Sequence, residues 1–112
     1  MPTDRIQTFA EFWPYYLGEH RRPICRALHY VGTTAALVMV LSAALMHQPL
    51  LLLPALVSGY FFAWIGHFFI EKNRPATFSY PLLSFRADLK LYVLKISGRL
   101  KHDPDFQRTC LG

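Results

Sequence analysis

Residues 27–70 read ALHYVGTTAALVMVLSAALMHQPLLLLPALVSGYFFAWIGHFFI, and no Asp, Glu, Lys or Arg occurs among them. The 12 Lys and Arg and 7 Asp and Glu of the chain all lie outside this stretch, up to Arg26 and from Glu71 onward. A bilayer core about 30 Å thick is crossed by roughly 20 apolar residues of helix. These 44 residues, broken once at His47-Gln48-Pro49, are long enough to cross twice. The reading is therefore an all-α integral membrane protein built on a two-span hairpin, with spans over about 27–46 and 50–71. Flanking interfacial and amphipathic helices complete it.

The chain has 112 residues, which suits one membrane domain over 1–112. A secretory signal peptide is a poor alternative, because the apolar run starts far from Met1 and a second span follows it. The net charge of +5 is not a nucleic-acid signal here. Four basic residues precede the gap and eight follow it, while the turn carries none. By the positive-inside tendency both termini face the cytoplasm, at a bacterial inner membrane or an endoplasmic reticulum. Some of these cations are expected against anionic headgroups. Cys25 and Cys110 make no metal or disulfide pattern.

Upstream, Thr3 or Asp4 can cap a short helix. Phe9, Phe12, Trp13 and Tyr16 share helical spacing. Pro14 predicts a kink or two short pieces, and the aromatics suit a membrane–water interface or packing on the hairpin. Gly18 to Arg22 reads as a turn, and Pro23 as the first residue of the next helix. Small residues Gly32 to Ala36 allow a second helix to come close. Downstream, Leu82, Phe85, Leu89, Tyr92, Val93 and Ile96 form one stripe of an amphipathic helix over about 80–98. Such a helix would lie on the membrane surface or against the hairpin's rim. The tail 101–112 reads as polar and loosely held.

A hairpin returns the chain to the side it left. His20 and His29, at the entry, would then share a rim with His67 and Glu71 at the exit. His67 and Glu71 are four residues apart, on one helical face. A lone interfacial histidine is ordinarily a hydrogen-bonded rim residue. Several ionisable groups gathered at one rim point instead to a site. Three imidazoles with at most one carboxylate suit Fe(II) or Zn(II). Each ligand needs a supporting partner, for which Glu19, Asn73, Asp88, Tyr15 and Tyr16 are available. His47 lies at the opposite rim and His102 in a polar loop, so both read as structural or solvated. Arg74 is placed to hold an acidic headgroup, with Asn73 beside it, while Arg21 and Arg22 read as anchors. No phosphate loop, dinucleotide fingerprint or Ser-His-Asp order is present.

Three segments carry a resemblance: Phe12-Trp13-Pro14-Tyr15-Tyr16-Leu17-Gly18-Glu19-His20, Cys25-Arg26-Ala27-Leu28-His29-Tyr30-Val31-Gly32-Thr33, and Gly66-His67-Phe68-Phe69-Ile70-Glu71-Lys72-Asn73-Arg74-Pro75-Ala76. With Arg86-Ala87-Asp88-Leu89 and Ser97-Gly98-Arg99-Leu100, the chain resembles the small membrane proteins related to the fungal endoplasmic-reticulum 2-hydroxy fatty acid dioxygenase. The likeness covers about residues 10–100. It implies an Fe(II)-dependent dioxygenase that shortens a 2-hydroxy fatty acid by one carbon, consuming dioxygen and releasing carbon dioxide. The resemblance further implies iron ligation by His20, His29 and His67, with Glu71 as ligand or supporting partner. The expected partners are the bilayer, a 2-hydroxy fatty acid and dioxygen, and oligomerisation is left open. A non-catalytic membrane scaffold for lipid metabolism and a zinc-dependent membrane hydrolase are the alternatives.

Overall fold

Pro23 begins the longest helix of the chain, where its missing N–H costs no hydrogen bond. In the computed structural model, which describes residues 5–111, this helix runs from Pro23 to Leu45. We call it α2; it follows α1, Phe9–Gly18. The chain then turns through His47, whose φ of 53° is left-handed, and forms a short 3-10 turn over Pro49–Leu51. Helix α3, Leu52–Ile65, continues directly into a π-helical turn, Gly66–Glu71. After a 3-10 turn at Ala76–Phe78 come α4, Pro81–Ile96, and the short α5, Pro104–Phe106. A 3-10 turn precedes α5 and a π turn, Gln107–Leu111, follows it. All the regular structure among the described residues is helical.

The chain divides into two compact units, Arg22–Pro75 and Met1–Arg21 with Ala76–Gly112. In the first, α2 packs against α3 as an antiparallel hairpin. Pro23–Leu45 and Pro49–Glu71 each hold 23 residues, about 35 Å of helix at 1.5 Å per residue. Both are long and apolar enough to cross a membrane. Their outward faces carry exposed Leu37, Val38, Leu41, Leu53, Leu56 and Val57.

The inward stripe of α2 is Cys25, His29, Gly32 and Ala43, and that of α3 includes Ala55 and Ala63. Small residues matter there because the backbones meet closely. A Cβ added at Gly32 would stand 3.1 Å from the carbonyl oxygens of Ser58 and Gly59 and from Phe62 Cβ. One added at Gly66 would stand 2.9 Å from Cys25 Sγ and 3.3 Å from Cys25 Cα.

In the second unit, Thr8 caps α1 by accepting the Glu11 N–H, and its hydroxyl reaches the Glu11 carboxylate. This is a Thr-x-x-Glu start, downstream of the cap expected at Thr3 or Asp4. Thr3 and Asp4 lie outside the described residues. Pro14 does not divide α1, which runs unbroken through it. In a helix of 10 residues its missing N–H removes a single hydrogen bond, and buried Phe12, Trp13, Tyr16 and Leu17 hold the helix in place.

Helix α4 turns Ser84, Ala87 and Leu91 inward. Of the expected apolar stripe, Leu82, Phe85, Leu89, Val93 and Ile96 are exposed and Tyr92 is half-buried. The tail is ordered where the sequence suggested looseness. Leu100 and Phe106 are buried, and the Asp103 carboxylate accepts both the Phe106 N–H that begins α5 and the Trp13 indole N–H.

Candidate metal centre

His29 and His67 meet inside the hairpin because each lies on the inward stripe of its helix. Their rings stand edge to face with centroids 5.1 Å apart. Both residues are buried, His29 at 7% and His67 at 2% exposure. A ring nitrogen of one lies within 4.8 Å of a ring nitrogen of the other. Two nitrogens held by one ion at roughly 2.1 Å are at most about 4.2 Å apart. The pair is therefore close to the spacing that one ion would require.

The π turn supplies what a regular helix end would not. Lys72 closes it in the left-handed region, φ 63° and ψ 38°, and its N–H reaches the His67 carbonyl. The same carbonyl accepts the Asn73 N–H at 2.9 Å. The chain thereby folds back over His67, and Asn73 Oδ1 accepts from His67 Nδ1 at 2.8 Å. An oxygen can only accept, so the ring proton is on Nδ1 and the lone pair on Nε2. This is the arrangement in which metal-binding histidines are commonly held. Asn73 is thus engaged on the imidazole, the supporting role that the sequence offered it beside contact with a substrate.

Glu71 is also placed by this turn. Its Oε2 accepts the Arg22 N–H at 2.5 Å, so the carboxylate sits at the start of α2. A negative charge there offsets the positive end of the helix dipole. Arg74 is exposed at the same end of the hairpin.

His20 belongs to the other unit and has its own support. Its Nδ1 lies 2.7 Å from the Tyr16 carbonyl, one helical turn earlier. A carbonyl accepts only, so His20 also carries its proton on Nδ1. The Tyr16 ring stacks on the imidazole with centroids 4.0 Å apart, and Trp13 stacks on Tyr16 from 5.7 Å. The Tyr16 hydroxyl donates to Asp88 Oδ1 at 2.5 Å. Enclosure of the Asp88 carboxyl pushes its pKa up to about 7, with the Tyr16 hydrogen bond pulling the other way. Asp88 therefore supports Tyr16 and is no solvated surface charge. His47 stands in the hairpin turn and His102 is exposed.

The π turn with its left-handed Lys72 had no signal in hydrophobic periodicity. The Asn73-Arg74-Pro75 run after the span marked only that the helix ended.

The chain was compared with known proteins. No curated protein and no solved structure matches it significantly. A family model described as 2-hydroxy-palmitic acid dioxygenase Mpo1-like matches residues 6–100. That span takes in α1 through α4 and every histidine considered above except His102. The chain belongs to the 2-hydroxy-palmitic acid dioxygenase Mpo1-like family.

Proposed function

We propose that the protein is a membrane-embedded Fe(II)-dependent dioxygenase that converts a 2-hydroxy fatty acid to the acid one carbon shorter. The reading is carried by the buried His29–His67 pair, with Asn73 fixing the His67 tautomer, in a chain of this family. His20 completes the ligand set. Only Arg21 lies between it and the first residue of the hairpin unit, and its proton is likewise held on Nδ1. Three neutral imidazoles suit Fe(II) among the divalent ions that activate dioxygen, so the residues fit the ion.

The balance is one 2-hydroxy acid and one dioxygen to one shortened acid, one carbon dioxide and one water, so no further reductant is required. Bound iron would supply the electrons that activate dioxygen and a Lewis-acid site for the hydroxyl and carboxylate oxygens of the substrate. The protein's own residues do the rest. Asn73 and the Tyr16 carbonyl hold the imidazole protons away from the metal side. Gly32 and Gly66 let the two helices approach closely, Gly66 directly against Cys25, which holds His29 and His67 together. Glu71 anchors the start of α2, which keeps His29 in register with His67. Arg74 receives the substrate carboxylate at the rim, and the acyl chain lies along the apolar hairpin. The hairpin crosses the bilayer twice, with both termini cytoplasmic.

The test is metal content and turnover of detergent-purified protein. Iron bound near one per chain, with 2-hydroxypalmitate consumed only in the presence of oxygen, is expected; His67→Ala should lose both. Turnover that continues anaerobically would point to hydrolysis and overturn the reading, as would a His67→Ala protein with unchanged iron and activity.

A further inference from the structure

A second feature of the hairpin unit lies outside the histidine pair. A groove of about 390 Å³ is lined by Arg22, Pro23 and Ile24 from the start of α2 and by Phe69, Ile70 and Lys72 from the π turn and its cap. Ile24 and Phe69 are 61% and 69% exposed, so its apolar lining faces outward, whereas His29 and His67 are buried. Arg22 and Lys72 add two positive charges. Neither side chain enters an ion pair among the described residues. The nearest acid by position, Glu71, has a carboxylate oxygen committed to the Arg22 backbone N–H.

Lys72 contributes a further observation. A φ of 63° is disfavoured for any residue with a Cβ, and glycine is the ordinary occupant of such a helix end. A backbone outlier of this kind is grounds for asking what its side chain does. Here the side chain brings a cation to the edge of an exposed apolar groove, at the end of a helix long enough to span a membrane.

We propose that this groove binds an anionic phospholipid of the surrounding bilayer. The headgroup phosphate sits between Arg22 and Lys72, and an acyl chain runs over Ile24, Phe69 and Ile70. The charges match a phosphate, which Arg can hold through two parallel hydrogen bonds and Lys as a point charge. The outward-facing lining matches a lipid that arrives from the bilayer, and the paired cations match its phosphate. The proposal rests on the membrane-spanning reading above and is independent of the metal.

The experiment reconstitutes full-length protein into nanodiscs of phosphatidylcholine alone and of an equal mixture with phosphatidylglycerol, and follows thermal unfolding. A ligand that binds only the folded state raises the melting temperature. The wild type should melt several degrees higher in the mixed discs, and high salt should remove the difference. Lys72→Gly should melt at the same temperature or higher in phosphatidylcholine, because the backbone strain is relieved, yet lose most of the phosphatidylglycerol shift. Arg22→Gln should also lose the shift, and its backbone N–H to Glu71 remains. A merely structural lysine would not separate the two readouts in this way.

Three results would overturn the proposal: no shift in the wild type, a shift of wild-type size in both variants, or a shift produced by 2-hydroxypalmitate but not by phosphatidylglycerol. Protein that fails to enter nanodiscs at all would instead overturn the membrane-spanning reading, and this proposal with it.

Discussion

Replacing Asn73 with Ala removes the acceptor that fixes the His67 proton. His67 is 2% exposed, so water does not readily take the acceptor's place. Two consequences compete. If the proton stays on Nδ1, a buried N–H is left unsatisfied, at a cost of about 1–3 kcal/mol. If it moves to Nε2, that cost is avoided but the nitrogen that would bind the metal no longer has a lone pair. Loss of a partner of this kind typically weakens metal binding about 10–100-fold, which is about 1.4–2.7 kcal/mol. The assay is anaerobic Fe(II) binding by chelator competition, run beside thermal unfolding of the metal-free protein. Asn73→Ala should bind Fe(II) at least about tenfold more weakly. Asn73→Asp, which keeps an acceptor oxygen, should recover most of the affinity. An Asn73→Ala protein with wild-type affinity and wild-type melting temperature would refute the claim that this hydrogen bond orients a ligand.

Three further outcomes follow from the packing and the charges. Gly66→Ala puts a methyl 2.9 Å from Cys25 Sγ and should cost about 1–3 kcal/mol by overpacking; Cys25→Ala in the same chain should restore only part in thermal melts, because Cys25 Cα and O remain at 3.3 and 3.4 Å. Glu71→Ala should lower stability by about 1 kcal/mol through the lost cap on α2, while Glu71→Gln, still an acceptor but uncharged, should lose only the helix-dipole part of that and keep its iron content; iron lost from Glu71→Gln would make the carboxylate a ligand. Asp88 binds its proton more tightly folded, with a pKa of about 7, than unfolded, where the ordinary value is 3.8. Stability should therefore fall as pH rises from about 4 to about 7, and Asp88→Asn should flatten that part of a melting-temperature profile.

The hairpin was legible because its signal is composition. An uncharged run from Ala27 to Ile70 with Pro49 near its middle leaves few alternatives, and the helices begin and end within a few residues of the expected bounds. Pro23 marked a helix start, since the first position tolerates a missing N–H.

What was not legible is local geometry that several residues decide together. Lys72 in the left-handed region is set by the π turn behind it, and no pattern of apolar residues records that turn. Pro14 looked like a break because the rule for helix interiors ignores how much packing Phe12, Trp13 and Tyr16 supply. The tail looked loose because its anchors are two buried residues, Leu100 and Phe106, and one carboxylate, Asp103, spread among polar neighbours.

In the candidate site, His29 and His67 were legible by topology, as inward positions at the same end of a hairpin. Asn73 and Glu71 were legible as candidate partners of that site, but the group each would bond was not, because both carry polar groups suited to a substrate, a histidine or a metal. Only the backbone path decides that one bonds His67 and the other the start of α2.

The most direct measurement is the stoichiometry of the reaction in iron-loaded protein. With 2-hydroxypalmitate labelled at its carboxyl carbon, oxygen uptake and labelled carbon dioxide should appear one for one, with an unlabelled acid one carbon shorter, and His67→Ala should abolish all three. Labelled carbon dioxide released without oxygen uptake, or wild-type protein that binds no iron and turns nothing over, would contradict the assignment.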